Sequence, residues 1–464
     1  MHPSVNPWMI LPFAVLLGCI AIMPLLAHEW WERHYPKVVL VLSLLTLGYY
    51  LVVLKQTGRP LESAHDYFSF ICLTGALFVV SGGILIRVKG ESTPLLNTLL
   101  LGFGAVLANL IGTTGASMVL IRPYLRANKY RITSYHVVFF IFIVSNVGGA
   151  LTPIGDPPLY LGFLKGIPFM WTLYELLPMW SVGVAWLLVV FFIVDTLNFR
   201  RAPESVREKE TENKTWKIEG LPNIAMIGLI LWSLFIQSPM FLREIMMIIA
   251  MIASRFFTDP EIYERNDFSW KPVREVAILF AGIFMTMMPA LDWLEANARG
   301  LGIHSVSSFY WGSGSLSSVL DNAPTYLNFL SAAGGIYGPS PQTIENIRHI
   351  VSEPSIVVSA FVPTPESSTA DFITHHNVSS PTDSDIQIAW LLVNYAKYIA
   401  AISIGAVFFG ACTYIGNGPN FMVKSIAEHA GVKVPSFFGF IFKFTLPILL
   451  PMLVAVWWLF FRAS

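Results

Sequence analysis

The chain has 464 residues, 55% of them hydrophobic and only 12% charged, with 29 basic and 29 acidic side chains, against about 25% charged in an ordinary soluble domain. So little polar surface excludes a soluble fold of this size. A zero net charge gives no reason to expect a nucleic-acid partner and leaves only the distribution of charge informative.

Runs of about 20 apolar residues, enough to cross a hydrocarbon core about 30 Å thick, recur along nearly the whole length. The expected fold class is therefore an all-α polytopic membrane protein, with the lipid bilayer as its first partner. Spans are expected at 8–26, 36–54, 66–87, 134–164, 168–197, 221–237, 241–257, 273–294, 394–424 and 434–461. The first lacks a basic leader and is too long for a signal-peptide core, so it reads as a retained helix. Cys19, Cys72 and Cys412 all stand in apolar surroundings and read as small core residues.

Two further runs, 94–127 and 304–333, are interrupted near their middles by "ANLIGTTGAS" and "SVLDNAPTY". Unpaired backbone cannot face lipid, so such breaks must lie in protein or line a wet cavity. Both runs are expected to enter and leave on one side as re-entrant hairpins. With the N-terminus outside, that arrangement collects Arg33, Lys37, Arg87, Lys89, Arg122, Arg126, Lys129, Arg131 and the basic residues of 198–217 and 255–274 on one face, as the excess of Lys and Arg in cytoplasmic loops requires.

The chain also repeats itself: "FICLTGALFVVSGGI" resembles "VAILFAGIFMTMMPAL", hairpin follows hairpin, and "LTPIGDPP" is echoed by "CTYIGNGP". Five crossings plus one hairpin in each half would insert the halves upside down relative to each other, the inverted-repeat plan of secondary transporters. The expected organisation is a first repeat over 1–197, a charged cytoplasmic linker over 198–220, and a second repeat over 221–464. Residues 334–386, rich in Pro, Ser, Thr and Asp, read as an extramembrane insertion. Within it His375-His376 reads as part of a solvated loop, and Asn377-Val378-Ser379 as a glycosylation acceptor only in a eukaryotic secretory setting.

"LTPIGDPPLYL" and "CTYIGNGPNFM" interrupt runs long enough to span. Gly155 lets the chain leave helical geometry, Asp156 suits an N-cap, and Pro157 suits the first position of a restarted helix; Gly416 and Pro419 do the same in the second half. Gly112 and Pro324 mark the breaks of the hairpins. A break within the membrane exposes carbonyls and amides together with the partial charges of the half-helix dipoles. In register, Asp156 corresponds to Asn417, and Ala108-Asn109 to Asp321-Asn322. Each half thus offers one acid and at least one amide, with hydroxyl and amide oxygens from Thr113, Thr114, Ser145, Asn146, Thr152, Thr325 and Thr413 nearby.

A carboxylate at mid-depth costs about 2.5–3.5 kcal/mol or more unless paired or protonated, which makes Asp156 and Asp321 candidates for function. A site that holds a proton or a metal cation, but not both, is the kernel of an exchanger. The expected Na+ ligands are Asn109, Asp156, Asp321, Asn322 and Asn417. The bland alternatives are an N-cap for Asp156, a hairpin tip for Asp321 and backbone ties for the asparagines. Glu175, Asp195 and Asp292 lie near span ends and read as interfacial, Lys397 as snorkelling.

"ANLIGTTGASMVLIRPYLR", "SNVGGALTPIGDPPLYLGFLKGIPF", "SSVLDNAPTYLNFL" and "YIGNGPNFMVKSIAEHAG" resemble the ion transporter superfamily, in particular its branch of NhaD-type sodium/proton antiporters and citrate transporters. The resemblance covers nearly the whole chain except 198–220 and 334–386. It implies a homodimer in which a scaffold holds the dimer and a part built from hairpins and broken helices moves like an elevator; the expected location is a bacterial inner membrane, with both termini outside by the distribution of Lys and Arg. NhaD-type chains carry Asp-Asn in both hairpins; here Ala108-Asn109 stands in the first, leaving Asp156 to supply that charge. Dicarboxylate transporters of the superfamily carry Ser-Asn-Thr at the hairpin tips, which this chain lacks.

The leading reading is Na+ (or Li+) exchange for H+, with no cofactor beyond the transported ions. The second is cation-coupled import of a citrate-like di- or tricarboxylate. A metalloid efflux pore finds no cysteine pair to support it, and no nucleophile, base and orienting partner can be assembled for an enzyme.

Overall fold

The computed structural model describes residues 5–89, 93–129, 131–201, 215–236, 239–266, 268–352, 364–376 and 381–462. Among them seven helices are long and apolar enough to cross a membrane, or eight if the bent pair Asp383–Asn394 and Ala396–Cys412 counts as one span. Apolar side chains turned outward on these helices, Val41 at 62% exposure and Phe442 at 66% among them, would be costly in water and suit lipid. The protein is an integral membrane protein of the all-α class.

The chain opens with α1 (Leu11–Leu26), α2 (His28–Gly48) and α3 (Gly58–Gly82). The second helix begins eight residues before the apolar run at 36, and Ala27 alone separates it from α1. Charged residues end the lipid-facing stretch, not the helix, so Arg33 and Lys37 ride on α2 rather than on a loop. The expected span 66–87 also runs short. The chain leaves α3 at Gly82 and forms strand β1 (Leu85–Lys89), which pairs antiparallel with β2 (Thr215–Glu219) in the register Leu85↔Glu219 and Lys89↔Thr215.

Next comes α4 (Pro94–Ala127), interrupted at Gly112, whose φ of 77° and ψ of 156° no helix accommodates. A straight helix would part residues 97 and 128 by about 46 Å. Instead Asn97 Nδ2 donates to Asn128 Oδ1 at 2.8 Å and Asn128 Nδ2 returns a bond at 2.9 Å, so the chain doubles back at Gly112. The second interrupted run does the same. Helices α12 (Val306–Ser317) and α13 (Asn322–Tyr337) flank a non-helical tip, and Tyr337 Oη donates to the carbonyl of His304 at 2.7 Å.

Between and after these lie α5 (Ser134–Ile143), α6 (Pro157–Leu164), α7 (Phe169–Arg201), α8 (Pro222–Ser233), α9 (Leu242–Phe257), α10 (Pro260–Arg265) and α11 (Lys271–Asn297). Helix α7 continues past 198 to Arg201, so the start of the expected linker is helical, while 202–214 lie outside the described residues. The insertion is structured too. Helices α14 (Pro341–Ser352), α15 (Pro365–His375) and α16 (Asp383–Asn394) close a small core of Ile347, Ala370, Ile373, Ile386 and Ala389. His375 and His376 end α15 there, and Asn377-Val378-Ser379 falls outside the described residues. The chain finishes with α17 (Ala396–Phe409), α18 (Gly418–His429) and a final helix over 437–461.

Two acids read as interfacial are sealed inside. Asp195 on α7, 0% exposed, accepts from Arg131 through both guanidinium Nη atoms, from Tyr135 Oη at 2.6 Å and from Asn97 Nδ2 at 3.0 Å, with His136 Nε2 3.1 Å away. Asp292 on α11, 1% exposed, accepts from Tyr50 Oη at 2.6 Å and Arg59 Nε at 2.9 Å. Burial is tolerated because each charge meets an arginine and further donors fill its lone pairs. Their nearness to span ends said nothing of this, since the partners come from distant segments.

Removing one member of such a pair strands the other. Asp195→Ala is expected to destabilise the protein by about 3–5 kcal/mol, with Arg131→Met/Asp195→Leu recovering most of it, read as thermal unfolding in detergent; an unchanged midpoint for Asp195→Ala would contradict this packing account.

Candidate functional site

Helix α5 stops at Ile143, and the chain does not resume as a helix until Pro157, apart from one tight turn at Val147–Gly149. Helix α17 likewise stops at Phe409, passes through a tight turn at Gly410–Cys412 and restarts at Gly418. Backbone left open by each interruption is closed by the neighbouring hairpin. Thr152 Oγ1 donates to the carbonyl of Asn109 at 2.7 Å, and Thr413 Oγ1 to that of Ser318 at 2.6 Å. The amide of Thr113 donates to the carbonyl of Gly155 at 2.8 Å.

These seams demand glycine: a Cβ on Gly155 would lie 2.0 Å from the Gly149 carbonyl oxygen, and one on Gly416 would lie 2.7 Å from that of Gly410. Serines 117 and 145 add a hydroxyl contact of 2.8 Å between the first hairpin and the first break.

At the restart of α6, Asp156 holds the N-cap position with an extended backbone, yet its side chain bonds nothing on its own helix. The carboxylate, 1% exposed, turns inward instead. Its Oδ1 accepts from Thr113 Oγ1 at 2.8 Å and from Asn417 Nδ2 at 3.0 Å, and its Oδ2 accepts from Asn322 Nδ2. The three donors come from the first hairpin, the second break and the second hairpin. All are neutral, and among the described residues no Lys or Arg reaches this carboxylate. Asn417 is likewise an N-cap residue that does not cap.

The other expected residues divide between this cluster and its supports. Asn109 has its amide spent on backbone, donating to Ala105 O at 2.9 Å and Gly148 O at 2.6 Å and accepting from Leu151 N at 2.9 Å. Asp321 accepts from the amide of Ala323 at 3.0 Å and so caps α13, while Thr325 Oγ1 donates to the Asp321 carbonyl at 3.0 Å. Neither Asn109 nor Asp321 hydrogen-bonds Asp156. Pro157 and Pro419 stand in the first turns of α6 and α18, and Pro324 in that of α13, where a missing N–H is harmless.

Asn146 donates to Ile141 O at 2.8 Å and Asn420 Oδ1 at 2.6 Å, and accepts from Asn417 Nδ2 at 3.2 Å. Asn420, absent from the sequence candidates, donates in turn to Gly410 O at 2.8 Å and Thr413 O at 2.9 Å. Its place three residues after Asn417, on the same helix face, was the available signal.

Beside Asp156 a cleft opens between α3 and the first hairpin. Phe70, Leu73, Leu77 and Phe78 make an apolar wall; Thr74, Thr113 and Thr114 provide hydroxyls; Pro153–Pro157 and Tyr160 close it.

Two hairpin tips and two interrupted helices meet at one buried carboxylate within a bundle of membrane-length helices, a setting that suits a polytopic membrane transporter. The chain belongs to the family described as "Putative citrate transport", whose family model matches residues 2–461. No curated protein matches the sequence significantly. The match supports the ion and citrate transporter branch that the motifs resemble, without singling out the NhaD type.

Because Gly155 and Gly149 touch through backbone, Gly155→Ala is expected to cost about 1–3 kcal/mol of stability, measured as a lowered unfolding midpoint in detergent. A variant as stable as the parent would show that the seam is looser than described.

Proposed function

We propose that this secondary transporter exchanges Na+ or Li+ for H+ by alternating access, with Asp156 as the group that the two occupants share. The supporting observation is its company. Asp195 and Asp292 are neutralised by arginine and Asp66 by Lys165, whereas Asp156 is held by one hydroxyl and two amides. Such a carboxylate, at a helix restart inside an apolar bundle, lacks a fixed countercharge and gains from a proton or a small cation. A single carboxylate with neutral oxygens suits a monovalent ion better than Ca2+, which takes about six to eight oxygen ligands. Asp321 serves as the second acid of this reading, through its place at the tip of the second hairpin, with Asn109 and Asn146 as supports and Thr113, Asn322 and Asn417 as direct partners.

The architecture proposed for this cycle is two inverted repeats of five crossings and one re-entrant hairpin each. Thr152 and Thr413, counterparts in register, each donate to a carbonyl of the adjacent hairpin, which supports that symmetry. The resemblance adds an elevator-type homodimer, with a bacterial inner membrane as its proposed location, and the distribution of Lys and Arg favours both termini and the insertion outside.

The family match favours a second reading, import of a citrate-like carboxylate coupled to the ion at Asp156. In that case the cleft beside α3 would take the substrate, with hydroxyls of Thr74 and Thr114 and the half-helix amides near Gly112 facing it.

Both readings meet in proteoliposomes carrying a pH gradient. NaCl pulses alone should move protons, and Asp156→Asn should abolish the response. Labelled citrate uptake that requires Na+, with no proton movement on Na+ alone, would select carboxylate import. Na+-driven proton flux that survives in Asp156→Asn would remove Asp156 from either scheme.

A further inference from the structure

The two amides that face Asp156 both come from the second half of the chain, Asn322 from its hairpin and Asn417 from its break, and are held differently. Asn417 points Nδ2 at three oxygens that share its two hydrogens: Asp156 Oδ1 at 3.0 Å, the Ser145 carbonyl at 3.2 Å and Asn146 Oδ1 at 3.2 Å. Turning that amide over would set its own oxygen against the same three acceptors. Asn146 cannot relieve the clash by turning, because its Nδ2 is committed to Ile141 O and Asn420 Oδ1, and Asn420 is fixed by the carbonyls of Gly410 and Thr413. Asn417 is therefore a locked donor.

Asn322 has one bond, from Nδ2 to Asp156 Oδ2. Its Oδ1 is buried and has no hydrogen-bond partner among the described residues, and the residue is 0% exposed. An orphaned buried acceptor costs about 1–3 kcal/mol and calls for a reason. Among the described residues no second hydrogen bond fixes the orientation of this amide.

We propose that Asn322 is the turning ligand of the site: with Asp156 charged and empty it donates through Nδ2, and with a positive occupant at Oδ2 it turns to present Oδ1. This inference rests on the reading of Asp156 as the shared ion site and deepens it. A proton placed on Asp156 Oδ2 needs an acceptor, and a metal ion there needs an oxygen ligand; the same Oδ1 supplies either. Since proton and cation would each lie between Asp156 Oδ2 and that one oxygen, they exclude one another for a local reason, beyond repulsion between like charges. Asn417 keeps Oδ1 of the carboxylate satisfied throughout and sets the geometry of the exchange.

The test uses isosteric changes in the full-length protein, with Na+-driven proton flux in proteoliposomes as readout. Asn322→Asp supplies oxygens in both positions, so the half-maximal Na+ concentration should stay level or fall. Asn417→Asp sets a carboxylate against the Ser145 carbonyl and Asn146 Oδ1, and the half-maximal concentration should rise at least about tenfold, as should that of Asn322→Leu, which offers no acceptor. A tolerated Asn417→Asp beside an impaired Asn322→Asp, or the same change in both, would overturn the proposal.

A measurement on the unaltered protein covers variants that fail to fold. Na+-induced infrared difference spectra should contain a side-chain amide carbonyl band, lost in Asn322→Leu; its absence from the unaltered protein would equally overturn the turning amide. Asp156→Asn separates the two levels. If it keeps the Na+ response, the site reading fails and this inference with it; if it loses the response while Asn322 and Asn417 variants behave alike, only the inference fails.

Discussion

Backbone polar groups inside a bilayer must find partners within the protein, and four interrupted elements in one chain make that constraint severe. The solution is mutual. Each break lends its threonine hydroxyl to the carbonyl of the adjacent hairpin, and each hairpin tip sits against a glycine pair too close for any side chain. None of the four could stand alone at this depth, and all must converge on one place. Asp156 lies where they do, receiving one bond from the first hairpin, one from the second, and one from the opposite break.

The other sealed acids show what is unusual about this one. Asp195 and Asp292 carry arginine partners and tyrosine hydroxyls, an arrangement that neutralises charge and fastens helices. Asp156 has the same burial and a similar number of donors but no cation. The difference between a structural and an exchangeable carboxylate then lies in the partner's charge, with burial common to both. On the proposed reading, the vacancy left by that missing cation is what a transported ion fills. A neighbouring amide with an unspent oxygen gives the occupant a second ligand without placing a second charge beside the first.

Much of this could be read from the residues before any coordinates. Length and apolarity marked the spans, because a helix must reach across the hydrocarbon. Gly112, Gly155 and Pro157 marked the interruptions, because only such residues let a chain leave and resume helical geometry. Hidden from the sequence were choices made by distant segments. Asp195 stands near a span end and reads as interfacial until Arg131, His136 and Asn97 are brought round it. Asn109 matches its hairpin counterpart in register, yet its amide serves Ala105, Gly148 and Leu151. The pairing of 85–89 with 215–219 was out of reach because the first strand overlaps the end of an apolar run and its partner lies in the distant linker. Helix α2 began earlier than expected because charge bounds the lipid contact and says nothing of where the hydrogen-bond ladder ends.

Competition at one carboxylate has a direct signature that needs no membrane and no gradient. Adding NaCl to the purified protein in weakly buffered detergent solution, at a pH where Asp156 is protonated, should release protons in proportion to the Na+ bound, and the release should vanish in Asp156→Asn. Saturable Na+ binding with no accompanying proton release would contradict the account.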